Sequence, residues 1–532
     1  MRLFPMSSGR ARVRLVEAGA VLVAAALIAG CGNAYRPVVT PINPSGPAPQ
    51  PTSYAVVVSS PSPTSKGVVT IIDYSGDTVM AVAPIGPGPN SFVLDQLGGN
   101  GFTVDSDGTL ANFPVSSTLQ AKNVLFSTVS SSAQIMNLTA PVGLWAPDLN
   151  GNVVDVFTGS PQDFKLAVPV ALAPVAVIGT PKLQAQREYV ISQNFADATG
   201  LACNTSPTTA PAGVVTPIES STYTADATIP VGKCPVFGVE SIDQRRVFVL
   251  NRGDDSITVI DTQKNAQDQC TPYQNQNGQW ITCHATLPLS TSAVKATGIT
   301  PPNGTSGMPA TAGPVYAEYI SATNQLVIAN YDAGTISVID VGLDEYGNDY
   351  NTYANPTCTV GGVTSYANCG AITGGFGTTY TILVGNYPAS VTALADGTRA
   401  YAANQADGTV SIVNLISHTV TGTLSVVGHP RNVVSTQNSL FSKVYAASPD
   451  SPYLTILGST PTTSDQVITT ILVEGNVVDA RVSTQNANGG NANVASRSAG
   501  HGEPCNLPPT PGNPTPAPKG AQTLLQACQA IP

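Results

Sequence analysis

Residues able to do chemistry are few in this chain, and they are scattered. Of the four histidines, His284, His418 and His429 lie in the long central region and His501 near the end. Acyl transfer needs a Ser or Cys beside a histidine and an acid, and no Gly-x-Ser-x-Gly elbow occurs. His429 stands in the phrase Val-Gly-His-Pro-Arg-Asn, where a lone turn histidine usually bonds its own loop. Asp95, Glu240, Asp243 and Asp396 follow related phrases and are the candidate acids for a metal-assisted reaction; their phases along the chain differ, so they do not converge. Zinc is disfavoured by the lack of paired Cys-x-x-Cys motifs or histidines at ligand spacing, and neither metal nor cofactor is expected. Asp148, Asn150, Asn152 and Asp155 carry oxygens at near-alternate positions, as calcium loops do, but without a closing Glu; an Asn-Gly hairpin is the simpler reading. Arg252-Gly253-Asp254 spells an adhesion tripeptide in a stretch where Gly-Asp is ordinary turn chemistry.

What positions these residues is a repeat. RVFVLNRGDDSITVIDT (246–262) returns as QLVIANYDAGTISVIDV (325–341) and RAYAANQADGTVSIVNL (399–415). Each is an apolar strand, a tight polar turn and a second strand. Such a pair cannot bury its own faces and must stack on copies of itself. Unit starts fall near Tyr54, Gly101, Leu144, Glu188, Val247, Leu326, Ala400 and Val444, with intervals of 47, 43, 44, 59, 79, 74 and 44 residues. A period near 44 with several strands per unit predicts an all-β β-propeller of four-stranded blades. The count is eight, with seven as the alternative if the second and third units are one degenerate blade. A second phrase, Val-Gly-x-x-Pro or a relative, closes most units, as in IPVGKCPVFGV (229–239) and ILVGNYPASV (382–391). Its glycine and proline suit a loop between two strands.

These two phrases resemble the YVTN-type repeat of YncE-like periplasmic propellers and surface-layer proteins, best over residues 230–480. The resemblance implies that the strand after Val-Gly-x-x-Pro is innermost in each blade. The chain opens on a second-type strand (54–58) and ends on an innermost-type one (476–482), so the last strand should complete the first blade. Some propellers of this kind are lactonases or lyases with a metal at the channel mouth, which is the enzymatic alternative.

Cysteine positions single out the same units. Cys203 and Cys234, Cys270 and Cys283, and Cys358 and Cys369 fall two by two in the three over-long intervals; Cys505 and Cys528 lie in the tail. An even set in an exported chain points to disulfides, paired sequentially as the economical hypothesis. Cys203 and Cys234 occupy loops that a propeller brings to one face, together with the segment 290–314. The inserts 267–283 and 342–378 should emerge on the opposite face. Tyr273, Trp280, Tyr346, Tyr350 and Tyr353 make those inserts aromatic, a composition that suits a protein or glycan partner.

The N-terminus reads as an export signal, residues 1–30. Arg2, Arg10, Arg12 and Arg14 precede a short apolar run ending Leu27-Ile28-Ala29-Gly30-Cys31. That ending resembles a bacterial lipobox, which implies acylation of Cys31 as the first mature residue and anchorage in a membrane. Gly32 after it implies the outer membrane. The proline-rich stretch 31–51 forms a tether, 52–484 the propeller, and 485–532 a Gly, Asn and Pro-rich tail of disordered composition. Loss of four arginines and one glutamate with the signal takes the formal charge from −10 to −13, which disfavours nucleic-acid partners. The expectation is an envelope-anchored binding or scaffold module.

Overall fold

The computed structural model describes residues 53–483, apart from 74, 96–97, 130–136, 140–142, 160–161, 180–186, 196–202, 204–206, 242–245, 267–269, 271–272, 275–279, 282, 290–310, 321, 341–357, 361–362, 366–378, 437–441 and 460–464. The segments 1–52 and 484–532, with Cys31, Cys505 and Cys528, lie outside the described residues.

Eight antiparallel blades form a propeller. Strands are lettered a to d from the innermost outward. Blade 5 shows the plan: a is Pro235–Glu240, b Arg246–Asn251, c Ser256–Asp261 and d His284–Pro288. The strand after Val-Gly-x-x-Pro is innermost, as the resemblance implied, and each strand a lies against that of the next blade. The faint second and third units make complete blades, with strand b at Asn100–Asp105 and Gly143–Asp148 respectively. The ring therefore has eight blades and not seven. Blade 1 is closed from both ends of the domain. Asn476–Val482 is its strand a and pairs with Tyr54–Ser60, Ala55 opposite Val482 and Ser60 opposite Asn476.

Position in the blade dictates residue type. Strand b is covered on both faces by neighbouring blades, so it reads as an apolar run: all six residues of RVFVLN are buried. Strand d has only one neighbour, and TVTGTLS of blade 7 (Thr419–Ser425) is mostly exposed and threonine-rich. In blades 2, 4, 5, 6 and 7 the residue before the first proline of strand a is left-handed: Gly88, Ala173, Cys234, Gly313 and Tyr387. A register shift follows each of those prolines. This shared kink turns the linker into strand a.

Polar side chains lash blade to blade. At the start of strand b, Arg187 and Tyr189 of blade 4 both reach Asn265, in the short helix Thr262–Ala266 of blade 5, at 3.1 and 2.8 Å. Arg399 and Tyr401 of blade 7 reach Asp465 before strand d of blade 8 at 2.6 and 3.0 Å. Lys443 of blade 8 reaches Asp77 of blade 1 at 2.7 Å. One Arg-x-Tyr device thus serves two joints of the ring. Around the inner strands, Phe237 of blade 5 stacks on Tyr316 of blade 6 with centroids 4.7 Å apart, a contact of about 0.5–1.5 kcal/mol beyond its buried area.

Candidate functional site

One hydrogen-bond pattern accounts for the repeat phrase. Asn251 donates from Nδ2 to Ser256 and Thr258, at 3.1 and 2.9 Å. Asn330 does so to Thr335 and Ser337, at 3.0 and 2.8 Å, and Asn404 to Thr409 and Ser411, at 3.0 and 2.9 Å. An amide bonded to the fifth and seventh following residues ties strand b to strand c across the turn. The linker glycine approaches the same asparagine: Gly385 donates its N–H to Asn404 Oδ1 at 3.0 Å, and a β carbon on Gly385 would lie 2.3 Å from that side chain. The two sequence phrases are therefore two halves of one joint.

The adhesion-like tripeptide is part of this scaffold. Arg252 is 1% exposed and forms a two-pronged pair with Asp332 of blade 6, Nε to Oδ2 at 3.1 Å and Nη2 to Oδ1 at 2.8 Å. Its Nη1 donates to the Cys203 carbonyl at 3.0 Å. Asp254 accepts from the Lys233 amide at 3.1 Å and from Ser256 at 2.6 Å. One blade on, Tyr331 fills the place of Arg252 and bonds Gln405 of blade 7 at 3.2 Å. The residue after the repeat asparagine is an inter-blade hook.

His429 follows the same logic. Its amide and Nδ1 both meet Asp450, at 2.8 and 2.5 Å. In blade 7 the corresponding Asn386 bonds Asp407 by its amide and its side chain, at 2.7 and 2.8 Å. A neutral amide thus performs in blade 7 what the histidine performs in blade 8. The hydrogen bond to Asp450 raises the His429 pKa above its ordinary value despite partial burial. Burial opposes ionisation of Asp450, yet the histidine holds its pKa below the ordinary value. His284 opens strand d of blade 5, and burial lowers its pKa.

Among the described residues, the candidate acids serve separate places in the ring. Asp95 accepts from Gly99 and Asn100 in its own turn, Asp396 from Thr398 in its turn, and Glu240 is buried at the end of strand a; Asp243 lies outside the described residues. Asp148 accepts from the amides of Asn150 and Gly151 at 3.1 and 2.9 Å, and Asn152 is left-handed, which makes a hairpin turn. Among the described residues no three His, Cys, Asp or Glu are grouped as metal ligands.

Among the described residues, disulfides join Cys203 to Cys234 and Cys270 to Cys283. The first links the b–c insert of blade 4 to the next linker, the pairing that the sequence suggested. Cys358 opens the short strand Cys358–Val360, which pairs with Val363–Ser365; its expected partner Cys369 lies outside the described residues. Tyr273 and Trp280 sit on opposed short strands of one hairpin, while Tyr346, Tyr350 and Tyr353 lie outside the described residues.

Sequence reasoning missed the ring's centre. Arg481 and Asp479, both on the closing strand of blade 1, pair at 2.8 Å and are 2% and 6% exposed. Asn432 of blade 8 donates to Asp479 and to the Ala480 carbonyl. Burial opposes the charge on Arg481, but Asp479 and a hydrogen bond with Tyr316 of blade 6 outweigh it and raise its pKa. Blades 1 and 6 are not neighbours, so this contact bridges the inside of the ring. The signal was a charged pair, Asp-Ala-Arg, inside an otherwise apolar strand.

No protein-family model matches the chain, and no curated protein matches its sequence. Among solved structures, dihydro-heme d1 dehydrogenase NirN in complex with DHE is similar with a TM-score of 0.51 at 12% identity, over 86% of this chain and 78% of that one. Apo AztD from Citrobacter koseri gives 0.49 at 11% identity, over 81% and 97%. At 12% identity the likeness to the dehydrogenase is one of fold alone.

Proposed function

We propose that the chain is a YVTN-type propeller, exported and anchored through Cys31, that works as a binding or scaffold module for a protein or glycan at the cell envelope. One observation carries the reading: the polar groups that might have served chemistry are engaged in holding the ring. Arg252 is locked to Asp332, His429 repeats the role of Asn386, and Arg481, Asp479 and Tyr316 meet at the inner strands. The variable material lies outside this frame, in the long inserts of blades 4 to 6. Tyr273, Trp280, Tyr346, Tyr350 and Tyr353 make two of those inserts aromatic, a composition that suits a protein or glycan partner. The proline-rich segment after Cys31 keeps the domain clear of the anchoring surface.

The test is capture from envelope extracts with the intact protein and with a variant lacking residues 342–378, alongside membrane fractionation of Cys31→Ala. A partner that depends on the insert, and release of Cys31→Ala from membranes, support the reading. Turnover of lactones by the purified protein, abolished by chelation, would replace it with a propeller enzyme.

A further inference from the structure

Asp105 ends strand b of blade 2, the place held by Asn251, Asn330 and Asn404 in blades 5, 6 and 7 and by Ser192 in blade 4. Ser448 meets the linker Gly428 in the same way in blade 8. Asp148 holds the place in blade 3, where two turn amides donate to its Oδ1. Asp105 has no such arrangement. It is 0% exposed; Thr103 donates to Oδ1 at 3.1 Å, and Oδ2 lies against Gly86, whose amide approaches without closing a well-formed hydrogen bond. A β carbon on Gly86 would sit 2.2 Å from Oδ2, so the linker and the carboxyl are in direct contact. The next residue is a clamp. Ser106 donates its amide to the carbonyls of Pro87 and Gly88 at 2.9 and 3.1 Å. Its hydroxyl meets the Pro63 carbonyl in the b–c turn of blade 1 at 3.1 Å.

We propose that Asp105 is a proton-held latch between blades 1 and 2: neutral, it lets the linker 86–89 close on blade 2, and ionised, it draws water into the seam and releases the Ser106 clamp. A dry carboxylate with one hydroxyl donor is far from compensated. The charged group that faces it is Asp107, on its own turn, which opposes ionisation further; the linker faces it with Gly86. Burial, the largest cause, pushes its pKa up to about 8. Opening restores the ordinary value of 3.8. The latch is therefore strongest below about pH 4, weakens as pH rises, and is released at about pH 8. Asp255, pushed up to about 6 by burial, lies between blades 5 and 6 and titrates elsewhere in the ring.

The experiment is amide hydrogen exchange on the full mature chain from about pH 5.5 to 9.5, corrected for intrinsic rates. Peptides covering 86–89 and 101–106 should lose protection about tenfold per pH unit up to about pH 8 and then level off. Asp105→Asn installs the residue of blades 5 to 7 and should flatten that profile, while peptides covering 385–404 stay level in both proteins. Asp105→Ser, which copies blade 4, is the second variant. A level wild-type profile overturns the latch without recourse to any variant, and so does a slope that persists in both variants.

Discussion

The guanidinium of Arg252 in blade 5 grips the carboxylate of Asp332 in blade 6 through two parallel hydrogen bonds, at 3.1 and 2.8 Å. Both side chains are almost fully buried, at 1% and 8% exposure. Removing one partner of such a pair strands the other in a dry site, which costs about 3–5 kcal/mol. Arg252→Ala should therefore lower the urea midpoint by a corresponding amount. Arg252→Lys should recover only part of it, since an ammonium lacks the planar fork. Cell attachment through Arg252-Gly253-Asp254 should be absent in the folded protein; RGD-peptide-sensitive adhesion to the native chain is the contrary result.

Cys203 serves the same joint, because its carbonyl accepts from Arg252 Nη1 at 3.0 Å. Opening the Cys203–Cys234 bridge by Cys203→Ser with Cys234→Ser should cost about 2–4 kcal/mol through loop entropy. It should also weaken the Arg252 site. A double-mutant cycle with Arg252→Lys should show coupling above about 0.5 kcal/mol. Additive losses would mean that the bridge holds only its own insert.

The ring itself was legible in the sequence because its determinants are local and repeated. The Asn-to-hydroxyl spacing of 246–262, 325–341 and 399–415 is written within one hairpin; its period gave eight blades with seven as the alternative, and the closing strand came from the strand order that the resemblance implied. Blades 2 and 3 were faint for a physical reason: Asp105 and Asp148 replace the asparagine, so the marker is gone while the burial pattern stays. The hooks and the centre were not legible. Arg252 looks like a turn residue until Asp332, eighty positions later, is placed beside it. Arg481 needs Tyr316 from a blade that is not its neighbour. Those pairings depend on ring geometry, which no single repeat encodes.

Gly385 tests the coupling of the two phrases. A methyl group there would press on Asn404 at 2.3 Å and displace the amide from its hydroxyl partners. Gly385→Ala should destabilise by about 1–3 kcal/mol, as overpacking does. Asn404→Ser removes the same amide bonds by truncation, although the β carbon of residue 404 stays 2.5 Å from the added methyl, so the two losses overlap rather than add. Gly385→Ala combined with Asn404→Ser should unfold at higher urea than the sum of the single variants implies. Equal additivity would show that the glycine is needed only for its backbone.

His429 and Asp450 give the blade 8 linker a histidine titration where blade 7 carries the amide of Asn386. The histidine pKa is raised in the folded chain, chiefly by its hydrogen bond to Asp450. The folded state thus holds a proton that the unfolded chain releases near the ordinary histidine value of 6.5. The contribution is fully present below that value and is lost as pH rises through the raised folded value. His429→Asn copies the amide of Asn386, which bonds Asp407 without an ionisable ring. Its stability should match the wild type less well at acid pH and converge with it at mildly alkaline pH. Urea midpoints measured across that window check the sign: a difference that grows on the alkaline side would mean that the imidazole braces the loop as a neutral acceptor.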